Sequence, residues 1–389
     1  MIPLALTRLV LNNFRNYAHL KLEVDRRPVV LTGPNGSGKT NLLEAISFLS
    51  PGRGLRRAKL TEPARQGGDG QWVISAHIYN DGFDHTVGTG LLRPAGMPEG
   101  SEKRTVRIDG EDGKRTADLG ELCQVSWLTP QMDRLFTESA GGRRRFLDRL
   151  TYGFDPEHAR RTAAFEKVMR QRNRLLKEGK MDPHWLGSLE HQMAELAIAI
   201  MAARRQSIYR LNQAMTDPNI STDSDKNIFP KAELGITGEL EEASEGIPAL
   251  AAEDGYRQTL ESKRRIDAKA GSTTTGPHRA DLSVLHVDKQ QQAALCSTGE
   301  QKALLISIIL SNARLQAGLH GKAPVLLLDE ITAHLDRSRR CALFDEIHAL
   351  NMQAWMTGTD EALFAEFGDR AQFFNVENAT LHRVRSVGY

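Results

Sequence analysis

The sequence predicts an α/β fold in which a mixed sheet with helices is assembled from the two ends of the chain and interrupted by a compact helical arm. Three observations carry this expectation. The apolar run PVVL leads into the glycine-rich octapeptide GPNGSGKT, Gly33–Thr40. A second apolar run, VLLL, stops at the acidic pair Asp329 and Glu330. Between the two, from about Gly141, the apolar residues change from strand-like alternation to steps of three and four. A discontinuous head is expected over 1–140 and 271–389, and the helical insert over 141–270.

In chain order, LTRLVLNNF, HLKLEV and PVVLTG read as three early strands, and Lys39 to Leu49 has the spacing of a helix emerging from the glycine-rich turn. WVISAHIYN, DHTVGTGLL and KRTVRIDG read as hairpin strands, with RPAGMPEGSE a loop between two of them, and CQVSW as a further strand. In the insert, Phe165, Val168, Met169, Leu175 and Leu176 follow helical spacing. Leu189, Met193, Leu196, Ile200 and Ala203 form the seam of a second long helix, and Pro183 marks the break between the two. The stretch 216–230 and the acidic stretch containing Gly246 and Pro248 read as loops, and Asp254 to Ala270 as another helix. ADLSVLHVD returns to strand, STGEQKALLISIILSNARLQ to helix, PVLLLDE to a buried strand, RSRRCALFDEIHAL to helix and QAWMTG to strand.

The bulk composition narrows the function classes. A chain of 389 residues has room for two or three domains of about 150 residues each. Hydrophobic residues at 40% and charged residues at 26% are those of an ordinary globular protein, and no apolar run approaches a membrane span. The N-terminus has no signal-peptide pattern, so a cytoplasmic location is expected. Cys123, Cys296 and Cys341 are odd in number and far apart, which argues against a disulfide framework and a zinc site. A net charge of +2 says little, but its distribution says more: 11 basic against 4 acidic residues from Arg143 to Lys177, then 7 acidic and no basic residue from Glu233 to Asp254.

GPNGSGKT fits a phosphate cradle at all eight positions, Gly33, Pro34, Asn35, Gly36, Ser37, Gly38, Lys39 and Thr40. The glycines allow consecutive backbone N–H groups to face phosphate oxygens, Lys39 reaches the β/γ-phosphates and Thr40 ligates Mg²⁺. Asp329 is then expected in the Mg²⁺ shell. Glu330 is expected to orient or deprotonate an attacking water, a role that hydrolysis needs and binding does not. ATP and Mg²⁺ are the expected cofactors, since the NKxD motif of a GTPase is absent.

The order of motifs, a P-loop, then Ser297-x-Gly299 opening a helix, then strand–Asp329–Glu330, then Asp336 in ITAHLD, resembles an ABC-type ATPase head. That resemblance implies a dimer with ATP sandwiched between the P-loop of one subunit and the signature serine of the other. Here the signature reads STGEQ, with Cys296, Thr298 and Glu300 departing from the usual pattern and Gln301 displaced by one. A plain helix cap at Ser297 or Thr298 is the competing reading. Gln131 in SWLTPQM is the candidate for a glutamine that senses the metal and the water, a plain surface glutamine being the alternative. Thr359 stands near the place of the usual switch histidine.

Thr40 and Ser297 lie 257 positions apart, farther than in transporter subunits and nearer than in chromosome-organising ATPases. Taken with LNNFRNY, RGLRRAKLTEPAR, GGRRRFLDRL and TTGPHRADL, the motifs resemble the RecF family of bacterial DNA replication and repair proteins over nearly the full length. The resemblance implies an ATP-dependent homodimer that binds DNA and, with RecR and RecO, helps load the recombinase RecA at gapped DNA. An ABC-type subunit coupled to a transporter or ribosomal partner is the alternative. It calls for a short motif spacing or two P-loops, and the sequence has neither.

Beside the resemblance stand the basic clusters Arg53, Arg56, Arg57 and Lys59, and, in the arm, Arg143, Arg144, Arg145, Arg160, Arg161, Arg170, Arg172 and Arg174. Such clusters neutralise phosphates without reading bases. Arginines that only solvate helix faces or pair with the acidic stretch are the competing reading. Aromatic residues are 6% of the chain, which favours duplex-backbone contact over base stacking. His278 and Arg279 link DNA or nucleotide sensing to the dimer, or cap structure locally.

Overall fold

The structure, a computed structural model, describes residues 4–93, 96–98, 100, 102–179, 182–216, 228–332 and 335–384. Positions 94, 95, 99 and 101 of the loop expected at 93–102, and 217–227 of that expected at 216–230, therefore fall outside the described residues.

The N-terminal part runs β1 (Ala5–Phe14), β2 (Tyr17–Glu23), β3 (Val29–Thr32), α1 (Lys39–Ser47), β4 (Trp72–Asn80), β5 (Phe83–Leu92), β6 (Lys103–Ile108), α2 (Leu119–Leu122) and β7 (Val125–Leu128). The middle runs α3 (Ala140–Tyr152), α4 (His158–Lys177), α5 (Pro183–Thr216), β8 (Ala232–Thr237), α6 (Glu239–Ala243), α7 (Ala249–Ser262), α8 (Arg264–Ala270), β9 (Asp281–His286) and β10 (Gln291–Gln292). The C-terminal part runs α9 (Thr298–His320), β11 (Val325–Leu328), α10 (Arg337–Ala349), β12 (Ala354–Thr357), β13 (Gln372–Glu377) and β14 (Thr380–Val384).

These elements form two compact units, Met1–Asp133, Asp223–Phe229 and Leu305–Tyr389 in one, Arg134–Thr222 and Pro230–Leu304 in the other. The first unit contains two sheets. One is antiparallel, in the order β2-β1-β4-β5-β6. The other, in the order β14-β13-β3-β12-β11-β7, is parallel throughout except for the edge strand β14. The α/β class with a mixed sheet is thus as the sequence predicts. Strands β3, β11 and β12 are buried at every position, the unbroken apolar pattern of parallel strands covered on both faces. Helix α1 is buried on nearly every side, with Leu42, Leu43, Ala45 and Ile46 all fully buried, and shares a core with Leu9, Leu11, Ile74, Leu31 and Val325. Phe48, just past its end, meets Phe14 and Trp72 at ring-centroid distances of 6.1 and 5.0 Å and anchors the helix to β1 and β4.

The sequence reading missed β13 and β14. They form a hairpin whose turn residues Asn378 and Ala379 both have positive φ, 48° and 60°. That is the backbone of a type I′ turn without the Asn-Gly pair that usually announces it. The acidic stretch, read as loop, instead holds β8, α6 and α7. Charge masked a period-two pattern in which Ala232 and Leu234 are buried and Glu233 is exposed against β9.

The second unit packs α4, α5 and α7 around Phe165, Leu186, Met193, Ala197, Ile200, Tyr256 and Leu260. Its three-stranded sheet has the order β10-β9-β8. At the centre Arg172, wholly buried, donates to Glu190 (3.0 Å), Asp267 (2.7 Å), Thr273 (3.0 Å) and the Leu260 carbonyl (2.7 Å). Asp267 in turn accepts from the backbone N–H and hydroxyl of Thr274. A buried ion pair adds little net stability, but removing one partner strands the others. Arg172→Ala is expected to destabilise the protein by about 3–5 kcal/mol, read as a lower urea midpoint. A midpoint within about 0.5 kcal/mol of the parent would show that the cluster does not hold the unit together.

Candidate functional site

Four neighbouring strands of the parallel sheet, β3, β12, β11 and β7, end on one edge, where open α/β sheets hold their ligands. β3 runs into Gly33–Gly38 and then α1. β12 ends at Thr357, and β11 ends just before Asp329 and Glu330. β7 is followed by the short turn Pro130–Arg134, which carries Gln131 exposed.

Gly33, Gly36 and Gly38 have φ of 136°, 81° and 116°, so the glycine-rich loop takes a path closed to other residues. A Cβ at Gly33 would lie 2.3 Å from the Val376 carbonyl oxygen, and one at Gly38 would lie 2.5 Å from Asn16 Nδ2. Pro34, Asn35 and Gly36 are exposed, while Ser37 and Lys39 are buried. The Ser37 hydroxyl is buried without a hydrogen-bond partner. Lys39 Nζ donates to the carbonyls of Gly33 (2.6 Å) and Pro34 (2.8 Å). Burial pulls its pKa below the usual lysine value, against the opposing pull of the Glu330 and Asp329 carboxylates.

Asp329 is 6% exposed, and its Oδ1 accepts from Thr40 Oγ1 at 2.9 Å and from Thr357 Oγ1 at 2.8 Å. The Thr357 hydroxyl in turn accepts from the Glu330 N–H at 2.8 Å. Glu330 has φ 50°, a conformation that costs a non-glycine residue energy and is frequent at functional sites. Its side chain is exposed. Asp336 caps α10, its carboxylate accepting from the Arg339 N–H at 2.8 Å.

Two side chains from the turn between β1 and β2 hold the loop from below. Asn16 Nδ2 donates to the Ser37 carbonyl at 3.1 Å and the Tyr17 hydroxyl to the Gly38 carbonyl at 3.2 Å. The preceding Arg15 makes a bidentate pair with Glu44 of α1, which is fully buried. The basic segment after α1 is fixed to it as well. Leu55 N–H donates to Ser47 Oγ at 2.8 Å, Arg104 donates to the Phe48 and Gly52 carbonyls, and Arg56 pairs with Glu44 at 2.9 Å. Arg53, Arg56, Arg57 and Lys59 are all exposed.

Ser297 and Gly299 lie in the second unit, at the start of α9. The Ser297 hydroxyl and N–H both contact Glu300 Oε2 at 2.9 Å, and Glu300 also pairs with Lys289. These contacts, Lys289 first, bring the Glu300 pKa down to about 2. Gln301 is buried and donates to the Cys296 carbonyl at 2.8 Å. In α3, Arg143 makes a bidentate pair with Asp281 and donates to the Leu135, Phe136 and Glu138 carbonyls. Arg144 donates to the Ala280 carbonyl, and Arg145 is exposed near Gly141. His278 Nε2 donates to the Thr273 carbonyl at 2.9 Å, and burial lowers its pKa. Arg279 donates to the same carbonyl.

The structure thus brings Gly33–Thr40, Asp329 and Glu330 together within the first unit. It also reveals participants that sequence reasoning overlooked. Thr357, rather than Thr359, is the hydroxyl that touches the acidic pair; Thr359 is exposed two residues on. A polar residue closing the apolar strand AWMT was the available signal. Asn16, Tyr17 and Glu44 had no signal beyond their place in motifs quoted for other reasons.

The sequence profile of the RecF/RecN/SMC N terminal domain matches residues 5–382. A DNA replication and repair protein RecF of Allorhizobium ampelinum is 50% identical over 376 residues, 97% of this chain and 98% of the relative. The RecF of Agrobacterium fabrum is 50% identical, covering 96% and 97%. Among solved structures, that of the recombination mediator protein RecF-ATP in the RecFOR pathway superposes with a TM-score of 0.80 at 22% identity, covering 99% of this chain and all of that one. An Smc head domain from Pyrococcus furiosus, solved with an extended coiled coil, gives a TM-score of 0.53 at 13% identity, covering 98% and 96%. At these identities the structural likeness speaks to the fold.

Thr357→Val keeps the side-chain shape but leaves both Asp329 and the Glu330 N–H one partner short. Binding of a fluorescent ATP analogue with Mg²⁺ is expected to weaken about tenfold, and Thr357→Ser to restore it. Equal affinities in all three proteins would remove Thr357 from the site.

Proposed function

The chain belongs to the RecF family of DNA replication and repair proteins, and from that premise we propose that it is an ATP-dependent DNA-binding protein of replication and recombinational repair. In this reading two copies sandwich ATP, close on DNA, and with RecR and RecO help load RecA at gaps, hydrolysis releasing them. Its expected location is cytoplasmic; among the described residues no helix is long and apolar enough to cross a membrane.

The observation that carries the ATPase reading is Asp329, which receives the Thr40 hydroxyl while Glu330 follows it at the strand end. The donor set suits a magnesium nucleotide. Ser37 offers a buried hydroxyl with no other partner, Gly33, Gly36 and Gly38 allow an inward-facing backbone, and Lys39 supplies the cation. Thr40 and Asp329 would hold Mg²⁺, a hard ion that takes oxygen ligands. When bound, the metal neutralises developing phosphate charge. Glu330, held by Thr357 through its backbone, is positioned to accept a proton from water, and Gln131 at the neighbouring strand end to orient that water. Asp336 and the start of α9, with Ser297 and Gly299, supply the surfaces that meet the partner's nucleotide. Leu295, 72% exposed two residues before Ser297, supports burial of this face in a dimer.

For DNA, the exposed Arg53, Arg56, Arg57 and Lys59 form the principal phosphate contact. Arg143, Arg144 and Arg145 are a second set, of which Arg143 and Arg144 already hold α3 to the loop before β9 and to β9 itself.

Glu330→Gln is expected to retain ATP binding while slowing turnover by a factor of about 10²–10⁴, measured as phosphate release. Turnover at the parent rate would exclude Glu330 as the proton acceptor. Gel-shift and sedimentation with ATP, ADP and no nucleotide on duplex, single-stranded and gapped DNA test the whole reading. ATP alone should drive dimerisation, and duplex binding should fall steeply with salt. Dimerisation indifferent to nucleotide, or no DNA binding, would overturn it.

A further inference from the structure

Three side chains of the first unit link the basic segment to the glycine-rich loop. Arg56 Nη1 donates to Asn41 Oδ1 at 2.7 Å, Asn41 Nδ2 donates to Asn16 Oδ1 at 2.7 Å, and Asn16 Nδ2 donates to the Ser37 carbonyl at 3.1 Å. The direction is the same at each step, so each amide has its oxygen toward Arg56 and its nitrogen toward the loop. Arg56 Nη1 is shared with Glu44 Oε2 at 2.9 Å. Glu44 also receives Arg15 at both oxygens, at 2.7 and 2.8 Å.

The two arginines are not equivalent. Arg15 makes a bidentate pair with Glu44 and has a side chain 21% exposed, whereas Arg56 makes one bond to it and is 33% exposed. Were Arg15 to leave, a fully buried carboxylate would lose two of its three bonds. Arg56 can turn away while Arg15 keeps that charge neutralised, which avoids the penalty for an unpaired buried ion. Once it turns, Asn41 Oδ1 loses its donor and the restraint passed through Asn16 to Ser37 is relaxed.

We propose that Asn41 and Asn16 are positioning residues that transmit the state of Arg56 to the glycine-rich loop, so that a phosphate held by Arg56 and a nucleotide held by the loop alter each other's binding. The phosphate is that of a nucleic-acid backbone, and the proposal rests on the DNA-binding reading above. Glu44 is the fixed counter-charge that holds Arg56 in its starting position and Arg15 the residue that makes its release affordable. Linkage is reciprocal: whatever factor DNA imposes on nucleotide affinity, nucleotide imposes on DNA affinity.

The experiment titrates a fluorescent ATP analogue into the full-length protein with and without a saturating short duplex, DNA binding having first been verified by gel shift. In the parent protein, nucleotide affinity is expected to change by about fivefold or more on adding duplex. Asn41→Ala, Asn41→Asp and Asn16→Ala should each bring that change below about twofold, and Asn41→Ala, which leaves every direct loop contact in place, should also hold affinity for either ligand alone within about threefold. Asn41→Asp still meets Arg56 but cannot donate to Asn16, so it breaks the relay without disturbing the arginine. Arg53→Ala, off the relay, should lower DNA affinity and keep the coupling. Thermal melts identify any variant that fails to fold, and the remaining two then decide. Coupling of parental size in the folded asparagine variants, or no coupling in the parent while duplex is bound, overturns the proposal. Absence of duplex binding in the gel shift overturns the DNA reading itself, before any coupling is measured.

Discussion

The register of four parallel strands fixes the candidate site, and one carboxylate closes it. Leu328 lies opposite Met356 on one side and Leu128 on the other, and Thr357 lies opposite Leu31. Asp329 therefore emerges beside Thr357, and the glycine-rich loop begins two residues past Leu31. A slip of one residue would turn each of these side chains to the opposite face of the sheet. The three all-buried strands make such a slip costly, because each would have to bury a different set of atoms. Asp329 then uses a single oxygen to hold Thr40 from the first turn of α1 and Thr357 from a strand end. The geometry of the acidic pair is thus a property of the core rather than of the loops.

Each unit also has a fully buried charge, and the two are mirror images in sign. Glu44 is an acid served by two partly exposed arginines, whereas Arg172 is a cation served by Glu190, Asp267, a hydroxyl and a carbonyl. The difference in exposure separates their roles. Every direct contact of Arg172 is buried, with only Glu190 shared outward with the partly exposed Arg264, and it pins α4, α5, α8 and the loop leading to His278. Glu44 is reached through side chains that touch water, so what binds at the surface can alter its surroundings. Buried ion pairs are poor sources of net stability and good sources of fixed geometry. The same chemistry placed at different depths gives the second unit a fixed cluster and the first a buried charge whose partners touch water.

The sequence made the head more legible than its supports. Motifs with a rigid spacing, GPNGSGKT and the strand ending in Asp329 and Glu330, are local: their chemistry and their backbone requirement sit in the same few residues. β4, α1 and α10 were legible for the same reason, since their apolar period is unbroken. Thr357 and Asn16 were not, because their role depends on a partner on a neighbouring strand, 28 residues away, in one case and on a turn with positive φ at Arg15 in the other. β13 was hidden because it is a buried parallel strand following a kinked helical stretch, Glu361–Arg370, with no turn signal before it. Arg143 illustrates the opposite error of emphasis: in sequence it is one of a basic triplet, but in the fold its guanidinium is spent on Asp281 and three carbonyls. Charge runs do not reveal which members are already paired.

The signature variant is the point at which local structure bears most directly on the proposed dimer. Glu300 occupies the third position of α9 and receives both the N–H and the hydroxyl of Ser297, an arrangement that closes the helix start as a capping box does. With its pKa near 2 the carboxylate stays ionised at any physiological pH. An ionised acid at a helix N-terminus satisfies the same positive end that a partner's phosphate would use. In the proposed dimer the two would compete, and Lys289, paired with Glu300, offsets the carboxylate's charge. In the proposed dimer Ser297 reaches a phosphate only after its hydroxyl is released from Glu300, so closure carries an extra cost that a glycine at that position would not impose.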